Sequence, residues 1–140
     1  MGFIAPDDPR MRSTVDRTIE HLTDEQGFVY RYHAEDGLSG GEGTFSLCTF
    51  WLVDNLAMQG RLDEARSLFE RLLTYAGRLH LFSEEIDSRT SSALGNYPQA
   101  FTHIALINSA YNLRKAELRL AEHRPEPIVA ALSLQQGAQQ

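Results

Sequence analysis

The chain has 140 residues, 42% of them hydrophobic, and a formal net charge of -6. That is one domain's length with apolar material for a core, which excludes wholesale disorder. Its basic residues are outnumbered 13 to 19 by acidic ones and are scattered, so no concentrated basic face for nucleic acid is expected.

The first ten residues carry two aspartates and no apolar core, which does not suit a secretory leader. No apolar run approaches the roughly 20 residues of a membrane span. Cys48 is the only cysteine, so no internal disulfide can form and a reducing, cytoplasmic setting is expected.

Four helical segments follow in chain order. Asp7-Asp8-Pro9 offers a capping carboxylate and a proline suited to a first turn. Met11, Val15, Thr18, Ile19 and Leu22 then recur at helical spacing. Phe28-Val29-Tyr30-Arg31-Tyr32 is β-prone and allows one short hairpin in an otherwise all-α chain. The second helix, about Thr44 to Met58, is apolar on almost every side. Trp51, Phe50 and Phe45 are therefore expected in the core, with Phe45 nearest a site because it opens the helix. The third follows Gly60, with Leu62, Ala65, Phe69, Leu72 and Ala76 on one stripe. Acids fill its first turn, where the helix dipole favours them. The fourth begins near Pro98 and runs through Phe101, Ile104, Ala105, Ala110 and Tyr111 towards Leu120. Residues 1–122 read as the domain and 123–140 as a tail broken by Pro125 and Pro127.

The connections say more than the helices. Only Gln59-Gly60-Arg61 separates the second and third, which must pack antiparallel. The stretches from Glu25 to Gly43 and from Gly77 to Tyr97 are long, and loops of that length are usually functional. In an up-down-up-down arrangement both fall at the same end. Glu42, in the first, and Glu84-Glu85, in the second, are thus expected on one face.

Side-by-side carboxylates can raise one another's pKa where they share a site, although chain neighbours often point apart. Solvated loop charges, or a cap, are the plain alternative for Glu84, Glu85 and Asp87. The five histidines show no metal-ligand spacing, and neither a metal nor another cofactor is expected. Gly40-Gly41-Glu42-Gly43 lacks the following lysine of a phosphate loop, and its Glu42 would repel phosphate. It reads as a tight turn that allows close backbone approach. Tyr97 and Gln99 are expected at the same end, as site or cap. Gly60-Arg61-Leu62-Asp63-Glu64-Ala65-Arg66-Ser67-Leu68-Phe69 resembles a helix of tetratricopeptide-type interaction repeats, but no second copy recurs at a fixed period.

Several blocks together carry a more specific likeness. Gly41-Glu42-Gly43-Thr44-Phe45 leads into Cys48-Thr49-Phe50-Trp51-Leu52-Val53, followed by Gly60-Arg61-Leu62-Asp63-Glu64-Ala65. Then come Phe82-Ser83-Glu84-Glu85-Ile86-Asp87 and Gly95-Asn96-Tyr97-Pro98-Gln99-Ala100-Phe101-Thr102-His103. In order and spacing these resemble the family-15 glycoside hydrolases, in their bacterial trehalase and glucoamylase-like branch. The resemblance implies an α/α toroid of six helical hairpins with a glucose pocket at one end. It also implies inverting hydrolysis of α-glucosidic bonds, in trehalose or maltose-type glucosides. Glu84 matches the family's general base, and Glu85 stands beside it in a supporting role. Glu42 and Phe45 match segments that line the sugar pocket.

The family's general acid comes from a segment with no counterpart here, and a complete toroid needs about three times this length. The expectation is therefore the C-terminal hairpins of an incomplete barrel, inactive alone. Its exposed apolar faces would favour self-association or docking to the absent hairpins. The competing expectation is a non-catalytic helical interaction module that keeps the fold.

Overall fold

The computed structural model describes residues 3–34 and 42–123. Four helices dominate: α1 (Pro9–Leu22), α2 (Ser46–Met58), α3 (Leu62–Leu73) and α4 (Ala100–Glu122). A small antiparallel sheet joins them, with strands β1 (Thr44–Phe45), β2 (Glu85–Asp87) and β3 (Ser92–Leu94) in the order β1-β2-β3. The helical class matches the sequence reading. The sheet does not appear in it.

Asp8 caps α1 by accepting from the Arg10 backbone N–H at 2.9 Å, and Pro9 fills the first turn. The helix stops at Thr23, which turns extended and bridges to Val29. The turn between them is tightened by Asp24, whose Oδ1 accepts from the N–H groups of Gln26 and Phe28. Gly27 supplies the left-handed φ of 79° that this turn requires. The hairpin expected over Phe28 to Tyr32 is thus a single bridge, and Phe28 and Val29 are buried.

α2 lies at the centre of the core. Phe50, Val53, Leu56 and Ala57 are buried on it, and it packs on both α3 and α4. Phe50 stands edge-on to Phe69 at 6.1 Å and to Phe82 at 5.6 Å, so one ring joins α2, α3 and the second long loop. Two expectations for this helix are corrected. Thr44 and Phe45 are not helical: they pair with Ile86 and Glu85 as β1, so Phe45 stands at the helix start as the extended N-cap residue and α2 itself begins at Ser46. The pairing contributes inter-strand hydrogen bonds that an extra helical turn would forfeit. Trp51 is not in the core, being 42% exposed. A helix that is apolar all round has more apolar positions than α3, α4 and α1 cover.

The Gln59–Arg61 turn closes as expected. Gly60 N–H and Arg61 N–H bond back to Ala57 and Leu56, with Gly60 at φ 78°. Arg61 then reaches Asp16 of α1 and Glu64 of α3, each at 2.7 Å. Ala65, Leu68 and Leu72 bury the inner stripe of α3, and Arg66 crosses to Glu117 of α4. α4 buries only Thr102, Ala105, Ser109 and Leu113. Phe101, Ile104, Ile107 and Tyr111 stand 66%, 56%, 66% and 65% exposed, on a second stripe of the same helix.

Candidate functional site

The two long connections meet in the sheet. Thr44 pairs with Ile86, and its hydroxyl donates to the Ile86 carbonyl at 3.0 Å. The Ser88 hydroxyl donates to Asp24, a second tie between the loops. The inference that both loops share one end of the bundle is therefore realised by direct hydrogen bonding.

Glu84 sits where β2 begins, half-buried and held from several sides. Its N–H donates to the Asn96 carbonyl at 2.9 Å, and its carbonyl accepts from Ser46 at the start of α2 at 3.0 Å. Its carboxylate Oε2 accepts from the Asn96 backbone N–H at 3.1 Å and from Asn96 Nδ2 at 2.8 Å. Charge-assisted bonds of this kind orient a carboxylate well. Gly95 makes the close approach feasible: a Cβ there would lie 2.9 Å from Glu84 Oε2 and 3.0 Å from its Cβ.

Glu85 has different neighbours. On β2 it pairs with Phe45 on one side and Leu94 on the other. The Gly43 N–H donates to its carboxylate, and a Cβ on Gly43 would come within 3.2 Å of Glu85 Oε2. Arg31 stands 4.0 Å from Glu85 and 2.9 Å from Glu42. Burial, and then the charge of Glu42, push the Glu85 carboxyl above its ordinary pKa, against the opposing pull of Arg31 and Gly43. Phe45 completes this side, its ring 5.2 Å from the Arg31 guanidinium, which also lies 5.0 Å from the Tyr32 ring.

Glu42, Phe45 and Glu85 thus form one cluster around Arg31. Glu84 belongs to a second cluster with Gly95 and Asn96. The adjacent glutamates point apart, each held against its own glycine. Asp87 serves the hairpin turn: it accepts from the Arg89 N–H at 3.0 Å, and Thr90 with Arg89 holds its carboxyl below the usual range. Gln99 caps α4, its side chain accepting from the Phe101 N–H and its N–H donating to the Phe82 carbonyl at 2.9 Å. Tyr97 is half exposed in the same loop. Burial pushes the Cys48 thiol up, as suits a packed side chain.

Arg31 and Asn96 were not singled out from sequence. The cation between two tyrosines, in a loop that otherwise offers carboxylates, was the available signal for Arg31. Asn96 had a weaker one, the glycine before it. Chemically the two clusters present carboxylate acceptors, one guanidinium donor and an aromatic face, a set suited to a neutral polyhydroxyl ligand. Among the described residues no group of His, Cys, Asp and Glu has the makeup of a metal site, and no helix is long and apolar enough to cross a membrane.

The sequence profile of the glycosyl hydrolases family 15 matches residues 1–111. The trehalase of Mycolicibacterium smegmatis is 52% identical over 118 residues, which is 82% of this chain and 18% of that protein. The Mycobacterium tuberculosis trehalase is 51% identical over 118 residues, 82% of this chain and 17% of the relative. The Thermoplasma acidophilum trehalase is 40% identical over 119 residues, 85% and 20% respectively. The chain therefore spans 17–20% of the length of these curated relatives. No solved structure matches it.

Proposed function

The chain belongs to the glycosyl hydrolases family 15, and on that premise we propose that it carries the water-activating half of an inverting α-glucosidase site. Glu84 is the general base and trehalose the substrate. The observation behind the assignment is the hold of Asn96 on Glu84: both donors fall on Oε2. Oε1 is then the atom that takes the proton of a water attacking the anomeric carbon. In inversion a carboxylic acid on the other face of the sugar protonates the leaving oxygen, roughly 6.5–9.5 Å from the base.

Neither remaining glutamate of the site takes that second role. Glu42 is engaged by Arg31, and Glu85 by Arg31 and the Gly43 N–H. Their part is to bind sugar hydroxyls together with Phe45. The acid comes from the part of a family-15 domain that these 140 residues do not contain, and the chain alone is inactive. The substrate rests on the names of the relatives, all of them called trehalases.

The test is reconstitution. The chain is mixed or co-expressed with the preceding portion of the Mycolicibacterium smegmatis trehalase, and glucose release from α,α-trehalose is followed by proton NMR. Hydrolysis should appear only in the mixture, releasing β-glucose from the attacked ring and α-glucose as the leaving sugar in equal amounts before mutarotation, and Glu84→Gln should lower kcat by about a hundred- to ten-thousandfold. Glu84-dependent hydrolysis by the chain alone would refute its inactivity. Full activity of Glu84→Gln in the mixture would refute the base.

A second reading, a helical module that binds partners without catalysis, draws on the exposed α4 stripe. That stripe also suits docking to further hairpins of a toroid, the arrangement we favour because the relatives are about five times longer. A chain that stays monomeric and gains no activity with the complementing segment would favour the module.

A further inference from the structure

His103 lies outside both glutamate clusters, yet it bonds to the segment that delivers Glu84. Its Nδ1 is 2.7 Å from the Gln99 carbonyl oxygen. A carbonyl only accepts, so Nδ1 carries the ring hydrogen. Nε2 is then a bare lone pair, and it accepts from the Phe82 N–H at 3.3 Å. The circuit closes through Gln99, whose own N–H donates to the Phe82 carbonyl at 2.9 Å. Both backbone polar groups of the buried Phe82 are thus satisfied by the first turn of α4 and the residue before it. The next residue is held the same way, as the Thr102 hydroxyl donates to the Ser83 carbonyl at 3.1 Å. The residue after that is Glu84, whose carboxylate is oriented by Asn96, just upstream of the same helix start.

Packing reinforces the circuit. The Phe82 ring is edge-on to the imidazole at 5.9 Å and to Phe50 at 5.6 Å. The segment Phe82–Glu84 is therefore registered against α4 by hydrogen bonds and against α2 by an aromatic contact. Removing the ring acceptor would leave a buried donor unsatisfied on the side from which Glu84 is suspended.

We infer that His103, fixed as its Nδ1–H tautomer, is a positioning residue for Glu84: by accepting the Phe82 N–H it fixes where the carboxylate stands relative to Asn96. Its bearing on hydrolysis rests on the proposed role of Glu84; its bearing on geometry does not. A hydrogen on Nε2 would replace an acceptor with a donor and oppose the Phe82 N–H. The tautomer is therefore part of the device.

The 140-residue chain itself serves for the test, isotopically labelled for NMR. Ring nitrogen shifts should report Nδ1 protonated and Nε2 bare in the neutral imidazole. His103→Phe keeps a ring against Phe82 but has no acceptor. It should speed exchange of the Phe82 amide about tenfold and move the Asn96 side-chain amide and Glu84 carboxyl resonances. His103→Gln can place an oxygen near the Nε2 position and should restore all three signals towards wild type. An Nε2–H tautomer in the wild-type chain would overturn the inference, and that result does not depend on either variant folding. So would Asn96 and Glu84 resonances unmoved in His103→Phe, or no rescue by His103→Gln. None of these readouts involves hydrolysis. A failure of Glu84→Gln to abolish reconstituted activity would remove the base and leave the positioning result standing.

Discussion

Gly95→Ala against Gly60→Ala gives a direct measure of how tightly Glu84 is enclosed. Both glycines have left-handed φ, 68° and 78°. An alanine there costs about 1–2 kcal/mol, offset by about 0.4–1 kcal/mol from the restricted unfolded chain. That leaves about 1 kcal/mol for Gly60→Ala, whose added Cβ meets nothing within 4 Å. At Gly95 the same atom lies 2.9 Å from Glu84 Oε2 and 3.0 Å from its Cβ. The carboxylate must turn away and weaken its bonds to Asn96, and a hydrogen bond to a charged group contributes about 1.5–3 kcal/mol. Because the site is half-buried, the low end applies. Gly95→Ala should therefore cost about 1.5 kcal/mol more than Gly60→Ala. With a urea slope of about 1.5 kcal/mol/M, the two unfolding midpoints should differ by about 1 M. The single tryptophan, Trp51, and far-UV circular dichroism both report the transition. Coincident midpoints for the two variants would show that Glu84 is not enclosed as described.

Glu85→Gln should change how stability depends on pH. The raised pKa of Glu85 means that its contribution is present below the ordinary carboxylate value and lost as pH rises through the folded value. The glutamine variant should be more stable than wild type at neutral pH, with the gap closing near pH 4; a constant gap in urea midpoints would count against the assigned burial. Phe50→Ala should cost about 3–5 kcal/mol, because its ring joins α2 to Phe69 and Phe82; a loss below about 1 kcal/mol in the same titration would contradict its place in the core. The exposed α4 stripe should drive self-association of the isolated chain, and the double variant Ile104→Lys with Ile107→Lys should elute as a monomer in size exclusion. A wild-type monomer at high concentration would refute that.

The helices were legible where local chemistry decides them. Asp8-Pro9 marks a start, Gly60 marks a reversal, and the apolar stripe of α3 fixes its inner side. Loop lengths alone placed Glu42 and the acidic pair at one end. What sequence could not supply was the sheet, because strands of two and three residues show no alternation to detect. Their partners are also remote, with Thr44 opposite Ile86. The same gap hid which glutamate faces which neighbour, since strand pairing sends Glu85 to Arg31 while Asn96 holds Glu84. Arg31 escaped notice because its significance lies in Glu42, Glu85 and Phe45, which only the folded loops assemble around it. Trp51 was misplaced for the opposite reason: an entirely apolar helix gives no periodic sign of its exposed side.

The pairing of β2 with its neighbours also limits how this segment can change in descent. Ile86 must oppose both Thr44 and Ala93 for Glu84 to reach Asn96 and Glu85 to reach Gly43. Gaining or losing one residue inside β2 would invert every side chain along it and exchange the surroundings of the two glutamates. Residues 88–91 lie outside the ladder, at the tip of the β2–β3 hairpin. Homologues should therefore vary in length at that tip and keep the spacing from Phe82 to Asp87 fixed. The same rule tells an engineer where a tag or a binding loop can be inserted without scrambling the two carboxylates.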